Sequence, residues 1–139
     1  MRMIFAGFAA LTLGAAAHAQ DDTQAAILAE LGETYVSANV ENGARIFRRC
    51  QACHTVEEGG RNMVGPNLHG VFGREAGGKD DFRYSPAMSE SGIVWSAETM
   101  DAYLTNPRTY IPRNRMSFAG LRDEEDRNDL IAWLAVNTN

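Results

Sequence analysis

Cys50-Gln51-Ala52-Cys53-His54 is the segment of this chain best equipped for chemistry. Cys50 and Cys53 are the only cysteines in 139 residues, and His54 follows the second directly. Two thiols at this spacing can each add to a vinyl group, and the adjacent imidazole can bind iron. C-x-x-C-H is the attachment pattern of a c-type haem. The chemistry would then be one-electron iron chemistry. A bare C-x-x-C has other uses: a thioredoxin-like redox pair, half of a zinc site, or a disulfide. Zinc needs four ligands, and besides His54 the chain offers only His18 and His69. A thioredoxin-like pair needs a βαβ setting, and no alternating strand pattern of useful length is present.

An iron held by His54 has a sixth position to fill. His69, Met63, Met88, Met100 and Met116 are the candidates in the mature chain. His69 comes only fifteen positions after His54, a short path to the opposite face of a haem. A loop arriving from the C-terminal side has an easier route, and Met116 lies in such a loop between Pro112 and Gly120. Any of these methionines can instead fill a gap in a core. A thioether opposite an imidazole favours Fe(II) and a high potential.

The elements that must position these residues read as helices joined by loops. Glu41 to Cys53 is expected to be a helix, with Gly43, Ile46, Phe47 and Cys50 on one face. Glu57 to Arg83 holds seven glycines and Pro66, and is expected to be loop. Ser85 to Ser91 has room for one or two turns. Ser96 can cap a helix to Leu104, ended by Asn106-Pro107, with loop from Tyr110 to Gly120. Asp123 can open the last helix, with Glu124, Glu125 and Asp126 facing its positive end and Leu130, Ile131, Trp133 and Leu134 buried. Loops this long are unusual in so small a domain. A large apolar prosthetic group wrapped by them would account for their length.

The division expected along the chain is a signal peptide at 1–19, a leader at 20–41 and one domain at 42–139. Met1-Arg2, the apolar stretch Met3 to Ala15 and Ala17-His18-Ala19 fit a secretory signal cut after Ala19. The leader has Ala26, Ile27, Leu28 and Leu31 on one side of a short helix, and is expected to be a loosely packed arm. Export implies an oxidising compartment, where thioether bonds would cap both sulfurs. Losing Arg2 takes the formal charge from −5 to −6. That field excludes nucleic acid and anionic membranes as general partners.

From Gly43 onward the chain resembles the class I cytochromes c, the soluble mono-haem kind of mitochondria and bacteria. The resemblance rests on Gly43 and Phe47, Cys50-Cys53-His54, Gly65-Pro66-Asn67-Leu68-His69-Gly70 and Phe72-Gly73-Arg74. It continues through Tyr84-Ser85, Trp95, Tyr103-Leu104, Asn106-Pro107, Tyr110-Ile111-Pro112, Met116, Phe118-Ala119-Gly120, Arg127 and Asp129 to Leu134. It implies an all-α fold of short helices and long glycine-rich loops around one covalent haem c, bonded through Cys50 and Cys53. His54 and Met116 would bind the iron. The Pro66 carbonyl would fix the His54 tautomer, and Tyr103 would hydrogen-bond near the Met116 sulfur. Arg74, Tyr84 and Trp95 would hold a propionate, and Asn114 would donate toward one.

There are departures. The family usually has Gly-Thr-Lys before the ligand methionine, where this chain has Arg113-Asn114-Arg115. Arg113 in place of glycine implies an altered loop backbone. Met88 replaces a frequent asparagine beside an internal water, which implies a drier pocket. By the resemblance, Arg45, Arg48, Arg49, Arg108, Arg113, Arg115 and Arg122 fall around the exposed haem edge, with acidic residues elsewhere. The function implied is that of a monomeric periplasmic electron carrier, not an enzyme. A cytochrome bc-type complex would be the donor, and a terminal oxidase, reaction centre or periplasmic reductase the acceptor. The competing function is a haem peroxidase or gas-binding protein with a labile sixth ligand.

Overall fold

Ser85, Ser96, Asn106 and Asp123 each place a side-chain oxygen on the backbone N–H of a following first turn. Each thereby starts a helix where loop would otherwise continue. The computed structural model describes residues 13–139. Its helices in chain order are α1 Leu13–Leu31, α2 Glu33–Val36, α3 Val40–Phe47 and α4 Pro86–Ser89. They continue with α5 Ala97–Thr105, α6 Pro107–Tyr110 and α7 Glu124–Asn137. Among the described residues the only extended pairing is an isolated bridge, Glu75 with Val94, so the fold is all-α as expected. None of the described helices is long and apolar enough to cross a membrane.

The centre of the molecule is the crossing of α3 and α7. Gly43 lets the two backbones touch: a Cβ there would collide with the Asp129 carbonyl oxygen and lie 2.6 Å from Trp133 Cβ. One turn on, Phe47 stacks on Trp133 with ring centroids 4.3 Å apart. The Asp129 carboxylate accepts from the Asn39 backbone N–H at 2.7 Å and from Asn42 Nδ2 at 2.8 Å, fixing the start of α3. Leu130 and Ile131 are almost fully buried, each contributing about 2–3 kcal/mol by leaving water. Buried Arg127 ties α7 to α5 through Nε to Asp101 Oδ1 at 2.7 Å, and its Nη1 donates to the Leu121 and Arg122 carbonyls.

Two expectations are corrected here. The first helix stops at Phe47, six residues short of Cys53, and the chain continues as tight turns. Cys50 N–H and Gln51 N–H both donate to the Phe47 carbonyl, and Cys53 N–H and His54 N–H both donate to that of Cys50. The leader is not loosely packed: α1 and α2 lie on α7, with Leu28 and Tyr35 buried in the core. Most of the expected signal, residues 1–12, lies outside the described residues, and α1 runs unbroken through Ala17-His18-Ala19.

Candidate haem site

The turns after α3 leave Cys50 and Cys53 half-buried and unpaired. Burial pushes the Cys50 thiol up to about 11, against a smaller opposing pull from Arg49. A buried, protonated thiol is a poor exchange nucleophile, which disfavours the thioredoxin-like reading. Among the described residues no group of three or more His, Cys, Asp or Glu side chains could hold a metal ion. The zinc reading lacks its ligands.

His54 is held tightly from one side. Its Nδ1 lies 2.7 Å from the Pro66 carbonyl oxygen. A carbonyl only accepts, so Nδ1 carries the proton and Nε2 is left with a free lone pair. Burial lowers the His54 pKa, more than the bond to Pro66 raises it, so the ring is kept neutral as an iron ligand must be. Gly65 passes flat against the ring: a Cβ there would collide with Cε1 and lie 2.8 Å from Nδ1. Gly65 N–H donates to the Cys53 carbonyl at 2.9 Å and Leu68 N–H to that of Thr55 at 2.8 Å, bringing the Pro66 loop back onto the haem motif.

Met116 sits in the irregular segment between α6 and α7, half-buried against the core. The Tyr103 hydroxyl donates to its sulfur at 3.7 Å. Tyr103 is itself buried and packs on Trp95, with ring centroids 5.0 Å apart. Burial raises its pKa strongly, so it remains a neutral donor. Met100 is buried in the core, while Met63, Met88 and His69 are half-buried.

Arg74 and Trp95 are joined through their backbones, and Tyr84 lies near the Arg74 charge. Gly73 N–H donates to the Trp95 carbonyl at 2.7 Å, and Trp95 N–H to that of Arg74 at 2.9 Å. Arg74 donates through Nη1 to His69 O at 3.0 Å and through Nη2 to Asn67 O at 3.4 Å, leaving further guanidinium donors. Burial raises the Tyr84 phenol, and the neighbouring Arg74 charge opposes it. The donors left on the Arg74 guanidinium are of the kind a carboxylate accepts.

The residues present fit a haem c: two unpaired thiols, an imidazole with one free nitrogen, a thioether under a phenol, and a guanidinium with donors to spare. Comparison with known proteins agrees. The family model for cytochrome c matches residues 40–137. A cytochrome c of Kluyveromyces lactis is 46% identical over 101 residues, covering 72% of this chain and 92% of that protein. A cytochrome c2 of Afifella marina is 47% identical over 98 residues, covering 68% of this chain and 79% of that one. A cytochrome c of Stellaria longipes is 45% identical over 105 residues, covering 75% and 97%.

The chain belongs to the cytochrome c family. It is a mono-haem electron carrier of that family, with one haem c attached through its cysteines. One expectation drawn from the family changes in detail. Asn114 points into its own loop: both Nδ2 hydrogens go to backbone carbonyls, Pro107 O and Ile111 O, each at 2.8 Å. No amide hydrogen is left for a propionate. Arg113, where the family usually has glycine, adopts the left-handed conformation that favours glycine, with φ 67°.

Sequence reasoning missed the part played by Asn67. It is buried, donates to Thr55 Oγ1 and Glu57 O, and accepts from His69 N–H. It thus stitches the loop behind His54. The Pro66-Asn67 pair was the available signal, since asparagine closes such turns onto its own backbone two residues on.

Proposed function

We propose that this cytochrome c is a periplasmic carrier with His54 and Met116 as axial ligands, passing single electrons from a cytochrome bc-type complex to a terminal oxidase, reaction centre or periplasmic reductase. The observation that carries the ligand assignment is the Pro66–His54 bond at 2.7 Å, which leaves Nε2 as the one free ring nitrogen beside the thiol pair. When bound, the haem supplies one-electron Fe(III)/Fe(II) chemistry. His54 presents Nε2 in a fixed tautomer, as outer-shell partners of metal ligands do. Tyr103 orients the Met116 sulfur, and its hydrogen bond draws electron density from the donor. Arg74, Tyr84 and Trp95 offer donors to a propionate. With His54 and Met116 both holding the iron, no place on it would remain for a substrate. The competing peroxidase or gas-binding function gains nothing from the Arg113-Asn114-Arg115 segment, which is braced rather than loose.

Docking is proposed to be electrostatic. Arg48, Arg49, Arg108, Arg113 and Arg115 are exposed. The only salt bridges among the described residues are Lys79–Asp81 and Arg127–Asp101, so none of these five arginines is paired with a carboxylate, although Arg49 lies over the Phe118 ring. The test is the rate of electron transfer to an acidic partner complex at low salt. R49E/R115E should slow it about ten-fold or more, and the difference should shrink as salt rises. Equal rates at low salt would remove the docking face. Periplasmic location rests on Ala17-His18-Ala19 and the preceding apolar stretch. Intact mass of the mature protein should equal a chain beginning at Gln20 plus one haem; a mass retaining residues 1–19 would overturn cleavage.

A further inference from the structure

Asn114 commits its whole side chain to the loop that carries Met116. Nδ2 donates to Pro107 O and Ile111 O, and Oδ1 accepts from the Met116 backbone N–H at 2.9 Å. Pro107 is the first residue of α6 and Ile111 its C-cap. The amide therefore ties the backbone of Met116 to both ends of one helical turn. Immediately before it, Arg113 is the only non-glycine residue with positive φ among the described residues. A side chain with a Cβ disfavours that conformation, which persists only where surrounding contacts over-determine it. The Arg113 side chain is exposed and forms no salt bridge, so it supplies no such contact itself. The adjacent Asn114 bonds do.

We propose that Asn114 is a positioning residue for Met116: its three hydrogen bonds hold Arg113 in the left-handed turn and thereby hold the Met116 sulfur ready for iron. This rests on the reading of Met116 as the sixth ligand. The loop has two states, one with sulfur on the iron and one with it off. A small exogenous ligand binds only the second, so its apparent affinity reports the fraction open. Losing Asn114 removes the brace and leaves the strain. Replacing Arg113 with glycine removes the strain, because glycine adopts positive φ without penalty. The two changes must therefore be coupled, since the brace matters most where there is strain to hold.

The test is titration of the ferric holoprotein with imidazole, with the reduction potential measured alongside. N114A should raise the apparent imidazole affinity about ten-fold and lower the potential, because open Fe(III) is favoured. R113G should lower the affinity by roughly two- to five-fold. In the R113G background, N114A should change the affinity by no more than about three-fold. An equal fold-change in both backgrounds overturns the coupling, and an unchanged affinity in N114A overturns the positioning role. Should N114A fail to take up haem, R113G decides alone: an affinity equal to or above that of the parent protein overturns the proposal. M116A keeps the two readings apart. If its imidazole affinity matches the parent's, Met116 is not on the iron and the underlying assignment fails; if it exceeds that of N114A, the assignment stands and Asn114 is judged on its own result.

Discussion

The α3–α7 crossing and the loops that carry His54 and Met116 are held together by different means. At the crossing, side chains of the protein meet one another: Phe47 on Trp133, Gly43 against the Asp129 backbone, and Leu130 and Ile131 buried among neighbouring helices. In the loops, order comes from hydrogen bonds to backbone, through Asn67, Arg74 and Asn114, and many apolar side chains there are only half-buried. The crossing completes its own core, whereas the loops have a surface that one large apolar group must finish. The difference separates what folds the chain from what tunes the iron.

Removing the cofactor should strain that comparison most. In C50A/C53A, covalent haem should be lost, as read by haem staining after denaturing electrophoresis. Amide exchange protection should collapse in residues 55–95 while residual protection persists at the contact between α3 and α7. Equal loss in both regions would mean the crossing has no independent order. The next largest effect should come from the crossing itself. Gly43→Val puts a side chain where none fits, and should destabilise by about 3 kcal/mol in a denaturant titration. The folded holoprotein should keep its reduction potential, because Gly43 touches α7 and not the haem loops. A potential that moves with stability would erase the division.

The smallest effect should appear on the other side of the division. Tyr103→Phe removes one hydrogen bond to the Met116 sulfur, worth about 1 kcal/mol. The sulfur becomes a better donor to Fe(III), so the potential should fall by roughly 20–60 mV, with ten-fold corresponding to about 59 mV for one electron. Stability should fall by no more than about 1 kcal/mol, less than for Gly43→Val. An unchanged or higher potential would remove the Tyr103–Met116 bond from the account of tuning.

Much of the molecule is legible in its sequence, and the exceptions have particular causes. Ser85, Ser96 and Asp123 announce their helices because capping is local chemistry between a side chain and N–H groups two or three residues on. The end of α3 is not legible: Cys50 keeps helical spacing from Phe47, and spacing alone does not separate a helix from consecutive tight turns. Asn106-Pro107 reads as a stop, yet the same pair starts α6, since asparagine caps and proline suits a first helical position. The burial of Leu28 and Tyr35 depends on α7 having apolar residues on several faces, and which segment covers each face is a tertiary outcome. At the site, the Cys-His motif is local enough to read, whereas Pro66 is legible only through the family resemblance. The role of Asn114 is not, because its acceptors at Pro107 and Ile111 become neighbours only once α6 has formed.

The central claim is that His54 and Met116 share the iron. The most direct measurement is the far-red sulfur-to-Fe(III) charge-transfer band of the oxidised protein, compared across methionine variants. The account predicts the band in the parent protein and in M63L, M88L and M100L, and its loss in M116A. A band missing from the parent protein at neutral pH, or surviving in M116A, would contradict it.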